Sequence, residues 1–363
     1  MTTTTGRSPQ PSRDALAAVE QPLSKAGLPR WTPWAVLVLS IAIAAAVLVP
    51  GGTSPAAVAV LAALLNLVLI GLVSRVREGG RKATDRVVTA LVTTAFLIAM
   101  VPLVSVVWTV VSRGAARFDA QFFTWSMQGV VGEGGGGLHA IWGTIIVTLL
   151  ATLISVPIGL MTAVYLVEYG ARSALARAIT FLVDVMTGIP SIVAGLFVVA
   201  LFALIAGPQL RIGLMGAIAL SVLMIPVVVR STEEMLKLVP NDLREAAYAL
   251  GVPKWRTIVK VVLRTSVSGI ATGVTLAVAR VAGETAPLLL TLGLTVGTNF
   301  DPFEGRMATL PVFAYYSYTQ PGVPAQAGVD RAWTAALVLI MLVMALNLVA
   351  RLISRYFSPK GTR

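Results

Sequence analysis

Arg280 and Glu284 stand four positions apart in Val267–Leu294, a stretch with no other charged residue. Arginine offers a planar fork of donors that matches the oxygens of an oxyanion. A carboxylate one helical turn away can hold that fork and temper its pull. The four-residue spacing predicts both side chains on one helical face. Charges inside an apolar span cost a few kcal/mol each on insertion scales and normally face a pathway or a partner. The pair therefore reads either as an internal salt bridge or as the lining of an anion pathway. Because a buried pair seldom beats an apolar replacement in stability, the second reading is favoured. Asp184 is the single charge in Ile179–Ala206. It suits a helix-end or interhelical hydrogen bond, or a gating role beside Gly188 and Pro190, which are expected to bend or loosen that helix.

Other chemistry is missing. The chain has no cysteine and one histidine, so thiolate catalysis and cysteine-ligated metal are excluded. His139 lacks metal-ligand spacing and is expected in a loop or at an interface. No lysine follows a glycine, so there is no P-loop. The tract Gly132–Gly137 then reads as a flexible loop. No nucleophile–base pair points to a hydrolase.

The elements that must position these charges follow from composition. Of 363 residues, 56% are hydrophobic and only 12% charged, against about 25% charged in soluble domains. Such a chain reads as a polytopic membrane protein. Residues 1–30 are expected to form a disordered tail. The uncharged stretch 31–74, broken at Pro50–Pro55, reads as a helical hairpin. Six further spans are expected at Val87–Val111, Leu138–Val167, Ile179–Ala206, Leu214–Val229, Val267–Leu294 and Ala332–Ala350, making eight in a two-plus-six arrangement. Residues 75–137 would hold the first core helix and an extracytoplasmic segment. Residues 138–353 would form the main transmembrane domain with a cytoplasmic loop 231–264, and residues 354–363 a second tail. Threaded alternately, these spans place 22 of the 28 basic residues on one side, five on the other and Arg280 within the membrane. By the positive-inside rule the 22 are cytoplasmic, as are both termini, and the net charge of +12 reports orientation rather than nucleic-acid binding. Gly269-x-x-x-Gly273 suits close helix packing, including packing against a second subunit.

The long basic loop carries a short helix. Pro240 with Asn241 or Asp242 makes a start, Leu243, Ala246, Ala247 and Leu250 form a narrow apolar stripe, and Gly251 is a stop. A helix of about three turns is unstable alone and needs a surface to dock on, a partner or the membrane itself.

Glu245-Ala246-Ala247 followed by Gly251 resembles the EAA-x3-G signature of type I permeases of binding-protein-dependent ABC importers. The resemblance runs from about Val87 to the C-terminus. It implies an all-α polytopic fold with a six-helix permease core, to which the first two helices are additional. It also implies that the helix Glu245–Gly251 docks on a separate ATPase. The signature usually ends in I-x-L-P; here Val261-Val262-Leu263 is followed by Arg264, which bears on how the chain returns into the membrane. Two further stretches resemble phosphate-importing members of that family: Ala279-Arg280-x-x-Gly283-Glu284-Thr285-Ala286-Pro287-Leu288, and Asp184-x-x-x-Gly188-Ile189-Pro190-Ser191-Ile192-Val193-x-Gly195-Leu196. The resemblance implies a non-catalytic subunit that binds no cofactor. ATP would be used by a partner ATPase dimer, beside a second homologous permease, an extracytoplasmic phosphate-binding protein and membrane lipids. Arg280 would line the phosphate path, Glu284 would hold its guanidinium, and Asp184, Gly188, Pro190 and Pro287 would be structural or gating residues. The alternatives are a permease for another anion or solute, and an ion-coupled secondary transporter. The latter lacks the internal repeat expected of it.

Overall fold

The computed structural model describes residues 27–170 and 173–357. Most of the expected tail 1–30, Arg172 and the end of the tail 354–363 lie outside the described residues. All regular structure among the described residues is helical. Contacts divide the chain into two units, ending at Val106 and starting at Val107.

In the first unit, α1 (Thr32–Leu48) and α2 (Pro55–Arg77) form the expected hairpin, joined through a short turn at Val49–Gly51. Pro55 occupies the first turn of α2, where its missing N–H costs nothing, and the Ser54 hydroxyl accepts from the Ala57 N–H. The next helix, α3 (Gly80–Gly114), is longer at both ends than the expected span and enters the second unit with its last turns. Glu78 links α2 to α3. Its carboxylate accepts from Arg86 at 2.7 and 3.0 Å, from the Leu28 N–H at 2.7 Å and from Ser74 at 2.7 Å. These bonds, the Arg86 guanidinium foremost, hold its pKa at about 2. A cavity of about 690 Å³ opens among the three helices, with Trp34, Asn66, Ile70, Lys82 and Asp85 in its wall.

The second unit is built around one buried helix. Its elements are α4 (Ala120–Thr124), α5 (Leu138–Val164), α6 (Ala174–Thr187), α7 (Ser191–Ala206), α8 (Gly213–Lys237), α9 (Asn241–Ala249), α10 (Lys254–Thr257), α11 (Leu263–Ala282), α12 (Ala286–Thr291), α13 (Leu310–Thr319) and α14 (Ala325–Phe357). A π-turn at Tyr165–Tyr169 closes α5, and another at Ile258–Val262 joins α10 to α11. The central helix is α8. Lipid tails are as apolar as leucine, so helices in a membrane associate through close packing of small residues rather than through exclusion of water. Gly159 of α5 meets Val228 of α8, and the Ser221 hydroxyl of α8 donates to Ala151 O of α5 at 3.3 Å, which sets the two helices parallel. Gly269 and Gly273 of α11 face Met235 and Ser231 of α8, an antiparallel register. The glycine pair thus packs within this chain. Leu220, Met224, Ala277, Val281 and Leu288 complete the core between them.

Among the described residues, seven helices are long and apolar enough to cross a membrane, and a bent pair gives an eighth if it counts as one span. Three expected spans differ in extent from the helices observed. Ile179–Ala206 carries the bend expected at Gly188 and Pro190, and it is sharp enough to make two helices: α6 and α7 meet at 110°, because Pro190 has no N–H to continue the ladder. Val267–Leu294 stops at Ala282; Gly283 ends α11 and Pro287 sits in the first turn of α12. The sixth span runs on past Val229 to Lys237, since Glu233 pairs with both Arg230 and Lys237 at 2.7 Å and neutralises the added turns.

The glycine tract is no free loop. Gly135, Gly136 and Gly137 are buried. Arg331 donates to the carbonyls of Gly132 and Gly134 at 2.9 and 3.0 Å, and Arg117 donates to Gly135 O at 3.0 Å. A Cβ on Gly136 would lie 2.6–2.7 Å from the carbonyl oxygens of Gln121, Trp125 and Phe122, so only glycine fits this corner. Asp119 caps α4 by accepting from the Phe122 N–H at 2.8 Å, and that bond lowers its pKa. His139 is likewise not in a loop. It lies buried in the first turn of α5, edge-on to Phe313 with ring centroids 5.1 Å apart.

Candidate functional site

The site begins where α11 breaks. Gly273 lies against Ser231, and the same antiparallel register carried along to Arg280 sets it level with Met224, near the middle of α8. Gly283, Glu284 and Thr285 then interrupt the helix at that depth. Non-helical backbone at membrane depth persists only where protein buries it or where it lines a water-filled cavity. Arg280 is exposed and Glu284 half-buried. The expected shared helical face is corrected: α11 ends two residues before Glu284, so the four-residue rule does not apply to the pair. Among the described residues the two make no ion pair with each other or with any other side chain. Glu284 therefore does not hold the Arg280 guanidinium here, and both charges remain open to a third partner.

Pro287 and the Gly188–Pro190 break belong to one construction. The α6–α7 bend sends α7 against α12, and Gly195 is the seat for Pro287: a Cβ there would lie 2.8 Å from Pro287 Cα. On the other side, a Cβ on Gly216 of α8 would lie 2.6 Å from Leu292. The short α12 is thus held between α7 and α8 by two glycine contacts, with the charged break just ahead of it. Gly188 itself has an ordinary φ of −87°, so its contribution is helix termination rather than a left-handed turn. Asp184 is paired with Arg230 of α8, an interhelical ion pair between residues 46 apart in sequence.

The second part of the site is the loop helix α9. It spans Asn241–Ala249. The expected side-chain cap is absent: Pro240 occupies the cap position, no side chain accepts there, and Asn241 takes a bond from Arg244 at 3.3 Å instead. Gly251 ends the element with φ +74°, a conformation that glycine adopts at no steric cost. The apolar stripe splits in two. Ala247 is buried, whereas Leu243 is 42% and Leu250 83% exposed. Glu245 is exposed and Ala246 exposed beside it, so Glu245, Ala246, Leu243 and Leu250 form an outward surface. Beyond it, Lys254–Ala282 runs as one continuous span through the π-turn, with Arg264 exposed on α11 in place of a helix-breaking proline.

Sequence reasoning missed what fastens α9. Arg244 donates from Nε and Nη2 to Glu168 Oε1 at 3.1 and 2.8 Å, and to the carbonyls of Leu236 at 3.0 Å and Val239 at 2.6 Å. Glu168 stands 76 positions away, and nothing in its local pattern announces the pairing.

Residues 155–363 match the family described as "Binding-protein-dependent transport system inner membrane component". The chain is 47% identical over 286 residues to the phosphate transport system permease protein PstA 1 of Mycobacterium tuberculosis, covering 78% of this chain and 91% of the relative. It is 39% identical over 281 residues to the phosphate transport system permease protein PstA of Yersinia pestis, covering 77% and 92%. Among solved structures, a chain of the MetNI methionine ABC transporter superposes with a TM-score of 0.51 at 21% identity, covering 61% of this chain and 95% of that one, a likeness of fold.

Proposed function

The chain belongs to the family of binding-protein-dependent transport system inner membrane components, and we propose that it forms half of the pathway that moves inorganic phosphate across the cytoplasmic membrane. In this reading it is a multi-pass, non-catalytic permease with both termini cytoplasmic, as the placement of its basic loops favours. A second permease of the PstC kind completes the pathway. A PstB-like ATPase dimer consumes the ATP, and a PstS-like protein delivers phosphate on the outer side. The permease binds no cofactor of its own.

The single observation that carries this reading is the mid-depth break in α11, with Arg280 beside it, exposed and without an ion-pair partner among the described residues, and Glu284 within it. Arg280 offers a charge-assisted fork to the phosphate oxygens. Glu284, free of Arg280, lowers the positive field of the path so that the anion leaves as readily as it arrives, the condition for passage rather than storage. Pro287, seated on Gly195, fixes the break; Asp184, tied to Arg230, fixes the α6–α7 bend near Gly188 and Pro190. The outward surface of α9, with Glu245, Ala246, Leu250 and Gly251, docks on the ATPase and brings its closure to α11, while Ala247 packs inward beneath it.

Uptake of labelled phosphate by the reassembled transporter tests the role of Arg280. Losing one charge-assisted contact of about 1.5–3 kcal/mol corresponds to a roughly ten- to hundredfold drop for Arg280→Gln. Arg280→Lys keeps the charge and loses the fork, so it should fall between that variant and wild type. Unchanged uptake by Arg280→Gln would remove Arg280 from the path.

A further inference from the structure

We propose that Arg244 is a positioning residue that ties the coupling helix α9 to the π-turn closing α5, so that movement of α9 reaches α5 as well as α11. The proposal rests on α9 being the element that docks on the ATPase. Its geometry is complete on the page. Arginine has five N–H donors, and here every guanidinium nitrogen is engaged. Nε and Nη2 reach Glu168, Nη2 also reaches Leu236 O, and Nη1 reaches Val239 O and Asn241 Oδ1. The Arg244 and Glu168 side chains are 12% and 5% exposed. An arginine in an ordinary basic loop keeps its head in water. This one is spent on joining α9 to the ends of α5 and α8.

A second tie reaches the adjacent residue of the same turn. Lys254, just beyond α9, places Nζ 4.8 Å from the centre of the Tyr169 ring. α9 is therefore fastened to Tyr165–Tyr169 from within, by Arg244, and from beyond its C-terminal end, by Lys254. That turn has π geometry, closed by the Gly170 N–H on Tyr165 O at 2.7 Å. Single π-turns occur frequently at functional sites. From there α5 runs parallel to α8 with Gly159 against Val228, so a displacement of the π-turn is delivered to the central helix. The route through α11 alone would leave α5 behind.

Two measurements on the complete transporter in liposomes decide this. The first is phosphate moved per ATP hydrolysed. Arg244→Lys and Glu168→Gln should assemble and hydrolyse ATP at near wild-type rates while moving about tenfold less phosphate per ATP, and the double variant should be no worse than either single one, as for two halves of one contact. Wild-type stoichiometry in the single variants, or losses that multiply in the double variant, overturns the proposal. The second measurement needs no change to the pair and stands even if those variants fail to assemble. The chain has no native cysteine, so Met161→Cys on α5 and Tyr248→Cys on α9, labelled in the isolated chain before assembly with its partners, carry spin labels at those two positions alone. Their separation should stay within about 2 Å between nucleotide-free and ATP-bound states, the scale of small helix shifts, while both labels move relative to a third on α13. A separation that opens further overturns the tie. A transporter in which α9 does not move with ATP overturns the docking reading beneath it. One that hydrolyses ATP and couples α9 to α5 but carries no phosphate overturns only the cargo.

Discussion

A methyl group at Gly136 would collide with three carbonyl oxygens at once, and none of them can move without releasing α4 or α5. Gly136→Ala is therefore expected to destabilise the chain by about 1–3 kcal/mol, the usual cost of overpacking. Gly188→Ala serves as the comparison: its φ is ordinary and the nearest atom to a new Cβ is 3.5 Å away, so its effect should stay within about 0.5 kcal/mol. Thermal unfolding in detergent reads both. Glu78 gives a pH-dependent counterpart. Its pKa falls from 4.5 to about 2 on folding, so its contribution is fully present above 4.5 and is lost as pH drops through 2. Glu78→Gln should accordingly lower stability at neutral pH, and the gap to wild type should narrow between pH 4.5 and 2. A gap that is constant with pH would contradict the charged role given to Glu78. At this scale the sequence was legible wherever a charge stood alone in an apolar span, as Arg280, Glu284 and Asp184 do. It was illegible wherever the partner came from elsewhere. Asp184 meets Arg230 across 46 positions and Arg244 meets Glu168 across 76, and no local spacing encodes either.

Among the helices, breaks matter more than spans. Hydropathy found the apolar segments because a bilayer demands them, and it found the α1–α2 hairpin because Pro50–Pro55 interrupts an uncharged run. Hydropathy alone does not tell a bent pair from a single span, since α6 and α7 are each apolar; the bend was legible in Gly188 and Pro190, but its size, 110°, was not. It also drew Val267–Leu294 as one span, although the backbone leaves the helix at Gly283 and restarts at Ala286. The two motifs that flank these breaks are one contact in space, Pro287 resting on Gly195. Gly195→Leu should lever α12 away from α7 and disturb the break that carries Glu284. The expected outcome is at least a tenfold loss of phosphate uptake with the transporter still assembled, since the new side chain enters a helix contact rather than a subunit surface. Retained uptake would mean that the α7–α12 contact does not position the path.

For the whole chain, the basic residues and the broken spans give one account. Basic residues of α8 and α10 flank α9, where Glu245, Ala246 and Leu250 form the proposed docking surface. The charged break sits near mid-depth above it. Neither feature can perform transport alone: α9 has no nucleotide site to respond to, and half a pathway has one wall. The measurement that tests this most directly is phosphate accumulation in liposomes containing the chain alone, and the chain with its partner permease, ATPase dimer and binding protein, each with and without ATP. The account predicts ATP-dependent accumulation, with phosphate-stimulated hydrolysis, in the complete assembly only. Accumulation by the single chain, or hydrolysis in the assembly that phosphate does not stimulate, would contradict it.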